Sequence, residues 1–211
     1  MITPDCMRGV LVAIEGPDRA GKSTQARMLA AGLRRLGLRA AVFRFPDRST
    51  PTGRLIDRHL RGEEHIPNST LQDLFVANRR EAAAGIRAAV AAGAVVVLDR
   101  YCFSGVAYGA ASGLSAVECA AREEGLPAPD LVVCMDVLPG EAGERDGYGD
   151  EVYDNAPFQS RVRAEFARMR DESWLVVDGS LPAGEAHAAV LRAALEALRA
   201  QEESGGPLGS M

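Results

Sequence analysis

Val10-Leu11-Val12-Ala13-Ile14-Glu15-Gly16-Pro17-Asp18-Arg19-Ala20-Gly21-Lys22-Ser23-Thr24 is the stretch on which the fold turns. An apolar run leads straight into G-x-x-x-x-G-K-[ST], and a helical pattern opens behind it. This strand–loop–helix setting is what a phosphate-binding loop requires. Its glycines let backbone N–H groups curl around an oxyanion, and the helix N-terminus adds partial positive charge. Lys22 is placed to reach the β- and γ-phosphates of ATP, and the Ser23 hydroxyl to ligate Mg²⁺. Gly16, Asp18, Arg19, Ala20, Gly21 and Thr24 complete the expected ATP-binding loop.

Among 24 lysine and arginine residues, Lys22 is the sole lysine. A chain this biased towards arginine keeps its one compact ammonium where a point charge must fit among phosphate oxygens. A chance match to the motif gives no reason for that placement.

The length of 211 residues accommodates one substantial core, so a single domain over 1–200 is expected. A net charge of −5 and the lack of any basic run argue against a nucleic-acid polymer as partner. Cys6, Cys102, Cys119 and Cys134 are widely spaced, with no C-x-x-C pair, and read as reduced thiols. The first residues lack a signal-like apolar region, and no apolar run is long enough to span a bilayer. No membrane association and a cytoplasmic location follow as the simplest reading, with nuclear or organellar placement left open.

Beyond the loop, Leu29, Leu33 and Leu36 mark one helical face that stops at Gly37. Arg39 to Phe45 reads as a second strand, Pro51 to about Gly62 as a short helix, and Asn68 or Ser69 caps the next. Val95-Val96-Val97-Leu98-Asp99 is a buried central strand. Helices over Tyr101–Ala111 and Ser115–Glu124 and a strand over Leu131–Met135 follow. Residues 138–152 are rich in glycine and acid, without apolar period, and read as a mobile loop. Phe158, Val162, Phe166 and Met169 mark a helix, Trp174–Val177 a last strand, and Leu181 to about Ala200 a last helix. The order predicts an α/β three-layer fold of the P-loop NTPase type, a parallel five-stranded sheet with helices on both faces. Residues 201–211 contain Gly-Pro-Leu-Gly-Ser, which resembles the remnant of a protease site, and are set aside as a disordered tail. His59, His65 and His187 have no partners in sequence and read as surface residues.

Ligands on such sheets bind at the carboxyl ends of the strands, where Asp99 and Arg100 stand. Phe75 and Arg79 lie at i and i+4, so a ring and a guanidinium share one helical face. A core face does not normally end in an amide and a guanidinium, as this one does at Asn78 and Arg79. The alternative is that Arg79 only snorkels from the edge of that face. Asp99–Arg100 could likewise be a structural ion pair, and Arg48 could be merely solvated.

The segments Glu15–Gln25, Phe45–Thr50, Leu74–Arg80, Asp99–Gly105, Pro127–Leu131 and Tyr153–Gln159 together resemble thymidylate kinases of the eukaryotic and viral type. They occur in family order over most of residues 8–200. The resemblance implies that Phe75 stacks on thymine, Arg79 bonds its carbonyl edge, and Ser104 and Asn78 lie near the base. It puts Asp18 near the sugar 3′-hydroxyl, Tyr108 and Tyr153 beside the sugar, and Arg48 and Arg100 on the acceptor phosphate. Phe45, Gly105 and Gln159 join the substrate site through the same segments. Arg145 belongs to the lid over ATP. Arg19, Lys22, Asp99 and Arg100 form the implied catalytic set, with Asp99 orienting either Arg100 or a Mg²⁺-bound water. A homodimer is also implied. One departure stands out: the family commonly has Glu-Arg-Tyr-Glu where this chain has Glu151-Val152-Tyr153-Asp154, so the guanidinium at that position is missing and more weight falls on Arg19 and Arg145.

The implied reaction is Mg·ATP + dTMP → ADP + dTDP. The same chemistry on another nucleoside monophosphate or a nucleoside is the nearest competing reading. A GTP-dependent switch is disfavoured, because the Asn-Lys-x-Asp guanine motif needs a second lysine.

Overall fold

The computed structural model describes residues 8–138, 140 and 151–211. Five strands form one parallel sheet in the order β2-β3-β1-β4-β5. They are β1 (Leu11–Glu15), β2 (Ala40–Arg44), β3 (Val95–Asp99), β4 (Leu131–Asp136) and β5 (Leu175–Asp178). The helices are α1 (Lys22–Arg35), α2 (Pro51–Leu60), α3 (Asn68–Ala91), α4 (Cys102–Ala111), α5 (Ala116–Arg122), α6 (Ala156–Met169) and α7 (Ala183–Ser204). The order of elements is the one the sequence predicts.

β1 and β3 are buried along their whole length, so their apolar runs need no alternation with polar residues. The two-residue period of a strand still sorts their side chains between layers. Val10, Val12 and Ile14 pack with Leu29, Leu33 and Val190 of α1 and α7. Leu11 and Ala13 pack on the other face with Ile86 and Val90 of α3. On that second face Val132 and Cys134 meet Ala107, Phe158 and Val162 of α4 and α6. The register pairs Ile14 with Asp99 and Arg44 with Asp99. The carboxyl ends of β1, β2 and β3 therefore finish level with one another, and the loops leaving them share one rim.

Three details differ from the sequence reading. α3 begins at Asn68 with Pro67 at its N-cap, and Asn68 Nδ2 donates to the Ser112 carbonyl instead of capping its own helix (2.8 Å). His59 is buried, its Nδ1 accepting from the Ile66 N–H at 3.1 Å, and burial lowers its pKa. The C-terminal residues are also part of the fold. α7 continues to Ser204, and Gly205, in the left-handed region at φ +61°, turns the chain back. Ala128 N–H donates to Gly209 O (3.0 Å) and Met211 N–H to Leu126 O (2.9 Å). Leu208 packs against the cluster around Leu126, and Arg8 Nε holds Gly206 O at 2.8 Å. The Gly/Pro-rich segment at 125–129 leaves backbone groups without sheet partners, and the tail supplies them. Most of the expected lid, residues 139 and 141–150, lies outside the described residues.

Candidate active site

The rim opens into a cavity of about 480 Å³ that runs from the phosphate loop to the face of α3. Asp18, Arg19, Gly21, Lys22, Ser23 and Thr24 line one part of it. Gly16 has φ +133°, and a Cβ there would collide with the Met135 carbonyl, so only glycine lets the loop leave β1 against β4. Among the described residues the only non-glycine residues with positive φ are Arg19 (+61°) and Arg100 (+66°). Such backbone strain costs about 1–3 kcal/mol per residue and gathers where function fixes a side chain. Both were expected catalytic residues.

Lys22 is buried, and its Nζ donates to the Pro17 carbonyl within the same loop. Burial and the nearby Arg100 lower its pKa to about 7, against the partial support of Asp18, Asp99 and Glu15. Arg100 Nη2 donates to Asp18 Oδ1, its Nη1 donates to Gly16 O at 3.2 Å, and its plane lies 5.2 Å from the Tyr108 ring centre. Burial works against the ionised form of Asp18, but Arg100 and Lys22 outweigh it and hold the carboxyl below its usual range. Arg19 pairs with Asp154 at 3.4 Å, linking the loop to the segment just before α6. Asp99 is buried at the end of β3, 3.5 Å from Arg44, and its charge is felt at Lys22, although it does not line the cavity.

Phe45, Arg48, Phe75, Arg79, Ser104 and Gly105 line the other part of the cavity, with Tyr108 and Tyr153 beside them. Tyr153 stacks on Phe158 with ring centres 4.5 Å apart and planes within 4°. Arg48 is held by Asp57 Oδ1 and Glu151 Oε1, both at 2.5 Å. Ser104 donates its hydroxyl and its N–H to the carboxyl of Glu15, which burial pushes up in pKa. Arg79 does not snorkel outward. It is buried against Glu123, with Nε 2.9 Å from Oε2 and Nη2 bonded to Oε1.

Two expected substrate residues stand behind the cavity instead of lining it. Asn78 is buried, and its amide is spent on the Arg48 loop: Oδ1 accepts from Asp47 N–H (2.7 Å), while Nδ2 donates to Thr50 Oγ1 and Thr52 Oγ1. It holds the loop of Arg48. Gln159 is likewise buried, accepting from Asp18 N–H at 2.8 Å and donating to Asp18 Oδ2 at 2.6 Å. Its helix position carries it to the back of Asp18. Arg145 lies outside the described residues.

Sequence reasoning missed Glu15, Arg44, Gln72, Glu123 and Glu151 as parts of the site or its support. Glu15 could have been flagged, since a carboxylate at the end of an otherwise apolar central strand needs a partner. Glu123 gives no local signal, because its partner is 44 positions away on another helix.

The arrangement is a phosphate loop joined to a second pocket with an aromatic wall, a buried guanidinium and two further arginines. A family profile for thymidylate kinase matches residues 14–190. The chain is 38% identical over 208 residues to thymidylate kinase of Homo sapiens, covering 97% of both chains. It is 40% identical over 173 residues to thymidylate kinase of Arabidopsis thaliana, covering 82% of this chain and 66% of that one. Its fold superposes on the structure of thymidylate kinase from Candida albicans with a TM-score of 0.81 at 29% identity, covering 97% of this chain and 98% of that chain. With the profile spanning most of the chain and relatives similar over nearly its whole length, the protein belongs to the thymidylate kinase family.

Proposed function

We infer that the protein transfers the γ-phosphoryl group of ATP to dTMP, giving ADP and dTDP. The observation that carries this reading is the single cavity shared by the phosphate loop and the pocket of Phe75, Arg79 and Arg48. Donor and acceptor phosphates meet there between two sets of arginines.

The attacking phosphate oxygen needs no general base, since a phosphate monoester with a second pKa of about 6 is already largely ionised at neutral pH. The difficulty is holding two polyanions in line. Lys22 and the loop N–H groups take the donor, Arg48 and Arg100 the acceptor phosphate, and Arg19 the transferring group. Asp18 receives the sugar hydroxyl, and Phe75 the base.

The residues present fit a magnesium ion at the start of α1. Ser23 lines the cavity there, and the buried Asp99 carboxylate stands at the end of β3. When bound, Mg²⁺ neutralises charge on the donor phosphates. Ser23 would hold it, and Asp99 would orient a metal-bound water or Arg100. Among the described residues no helix is long and apolar enough to cross a membrane. A cytoplasmic homodimer with small-molecule substrates and no nucleic-acid polymer partner completes the reading; sedimentation tests the dimer. A coupled assay of ADP release with dTMP, dUMP, dGMP and thymidine tests the reaction, and a best substrate other than dTMP overturns the acceptor assignment.

A further inference from the structure

Every arginine expected to meet a phosphate has a carboxylate partner in this protein, and so does Arg79, but the pairs differ in exposure. Arg48 is paired with Asp57 and Glu151, whose side chains are 21% and 30% exposed, and Arg100 with Asp18, at 23%; Arg19 and Arg44 have buried carboxylate partners, Asp154 and Asp99, but are themselves 28% and 70% exposed. In the Arg79–Glu123 pair the side chains are 2% and 1% exposed. An arriving phosphate can displace a carboxylate that water then solvates. It cannot displace Glu123 without leaving a buried, unpaired charge, which is far more costly than either ion alone in water.

The pair is also fixed in direction. Nε and Nη2 of Arg79 are both committed to Glu123, and Nη1 has no hydrogen bond among the described residues. Gly105 on α4 closes the other side. A Cβ there would overlap both Glu123 Oε1 and Arg79 Nη2, so the pair lies directly on bare backbone. The Nη1 amino group of a neutralised guanidinium is then left for the cavity that Arg79 lines. Such a donor suits an uncharged carbonyl oxygen.

We propose that Glu123 is a positioning residue: it cancels the charge of Arg79 and fixes its direction, so that this end of the cavity accepts a base carbonyl and refuses a phosphate. The device sets the orientation of the acceptor, because six cations line one cavity and, among the described residues, Arg79 is the one whose ion pair is buried on both sides. This rests on the reading of the cavity as an acceptor site for dTMP.

The test is Glu123→Gln, which keeps size and one acceptor oxygen but removes the charge. The inhibition constant of inorganic phosphate, measured as a competitor of dTMP, is expected to fall at least tenfold. KM for dTMP is expected to rise at least fivefold, with kcat within threefold and KM for ATP within twofold. Glu123→Asp, which restores the charge, should return the phosphate constant to that of the unaltered protein. A folded Glu123→Gln protein with both the phosphate constant and KM for dTMP unchanged overturns the proposal. So does a fall in kcat alone. Should Glu123→Gln fail to fold, the double variant Arg79→Leu/Glu123→Leu removes both charges. It should leave the phosphate constant unchanged and raise KM for dTMP at least tenfold, and an unchanged KM overturns the proposal. Failure of the unaltered protein to phosphorylate dTMP would instead remove the acceptor reading itself, and is scored before any variant.

Discussion

The Arg100 guanidinium and the Asp18 carboxylate, 82 positions apart in the chain, are bonded to each other across the mouth of the phosphate loop. Gln159 braces Asp18 from behind, and the Tyr108 ring lies under Arg100. The loop that binds the donor is thereby tied to a residue expected on the acceptor, so neither half of the site is set independently.

Asp18→Asn tests this link. The variant keeps the shape but loses the charge on which Arg100 rests. A hydrogen bond to a charged group contributes about 1.5–3 kcal/mol. We therefore expect kcat/KM for dTMP to fall by roughly 10–150-fold. A change confined to the constants for ATP would show that Asp18 serves the donor alone.

Arg19 is held at positive φ in the loop, and an arginine on a transferring phosphoryl group contributes roughly 10³–10⁵-fold to turnover. Arg19→Ala should leave dTMP binding, measured by calorimetry, nearly intact while kcat collapses. The role is refuted if turnover stays within about tenfold.

Lys22 gives a signature in proton uptake. With its pKa lowered to about 7 by burial, the free amine is mostly neutral at pH 8. A bound triphosphate favours the ammonium, so ATP binding takes up a proton. Calorimetry in buffers of different ionisation enthalpy should show uptake approaching about 0.9 proton at pH 8 and about 0.1 at pH 6. Uptake that does not grow with pH would contradict it. The sign for folding follows as well. The unfolded lysine titrates near 10.5, so the unfolded chain binds more protons between about pH 7 and that value, and the stability contribution of Lys22 rises with pH there.

Asn78→Ala should act on stability and on Arg48 together. It leaves the N–H of Asp47 without its side-chain acceptor and takes one bond from each of the Thr50 and Thr52 hydroxyls, which keep each other and, for Thr52, Glu81. The loss of these part-buried bonds around a buried amide costs about 1–3 kcal/mol, or a fall in Tm of about 2–10 °C for a domain of this size. KM for dTMP should rise while KM for ATP holds. An equal rise in both would mean that the loop of Arg48 is not what Asn78 serves.

Removal of residues 205–211 uncovers the Leu126 cluster and frees Arg8 from Gly206. Partial burial of a leucine supports a loss of about 1–2 kcal/mol in urea unfolding. An unaltered midpoint would show that the tail does not contribute to the fold.

The sheet and its order were legible because the signals were local: a β-branched run with punctuation on either side, or a glycine after a leucine face. The phosphate loop was legible for the same reason. What could not be read was which polar side chain faces the cavity and which stands one layer behind. Asn78 and Arg79 are neighbours on one helix, yet only Arg79 lines the cavity, since 100° of helical turn separates them. Gln159 likewise lies behind the residue it was expected to accompany. Glu123 was invisible because its meaning lies wholly in a partner from another helix. The tail was misjudged on composition, which carries no information on whether a distant loop has backbone groups to offer.

The single lysine has a practical consequence. Apart from the chain's own α-amine, the sequence offers reagents one primary amine, and that amine sits in the phosphate loop. Burial lowers its pKa to about 7, so more of it is free amine at a given pH than for an ordinary lysine. An acylating nucleotide analogue would label one side chain and report occupancy of one site. Conversely, no ε-amine is available for cross-linking, surface immobilisation or conjugation to another protein without disabling the active site.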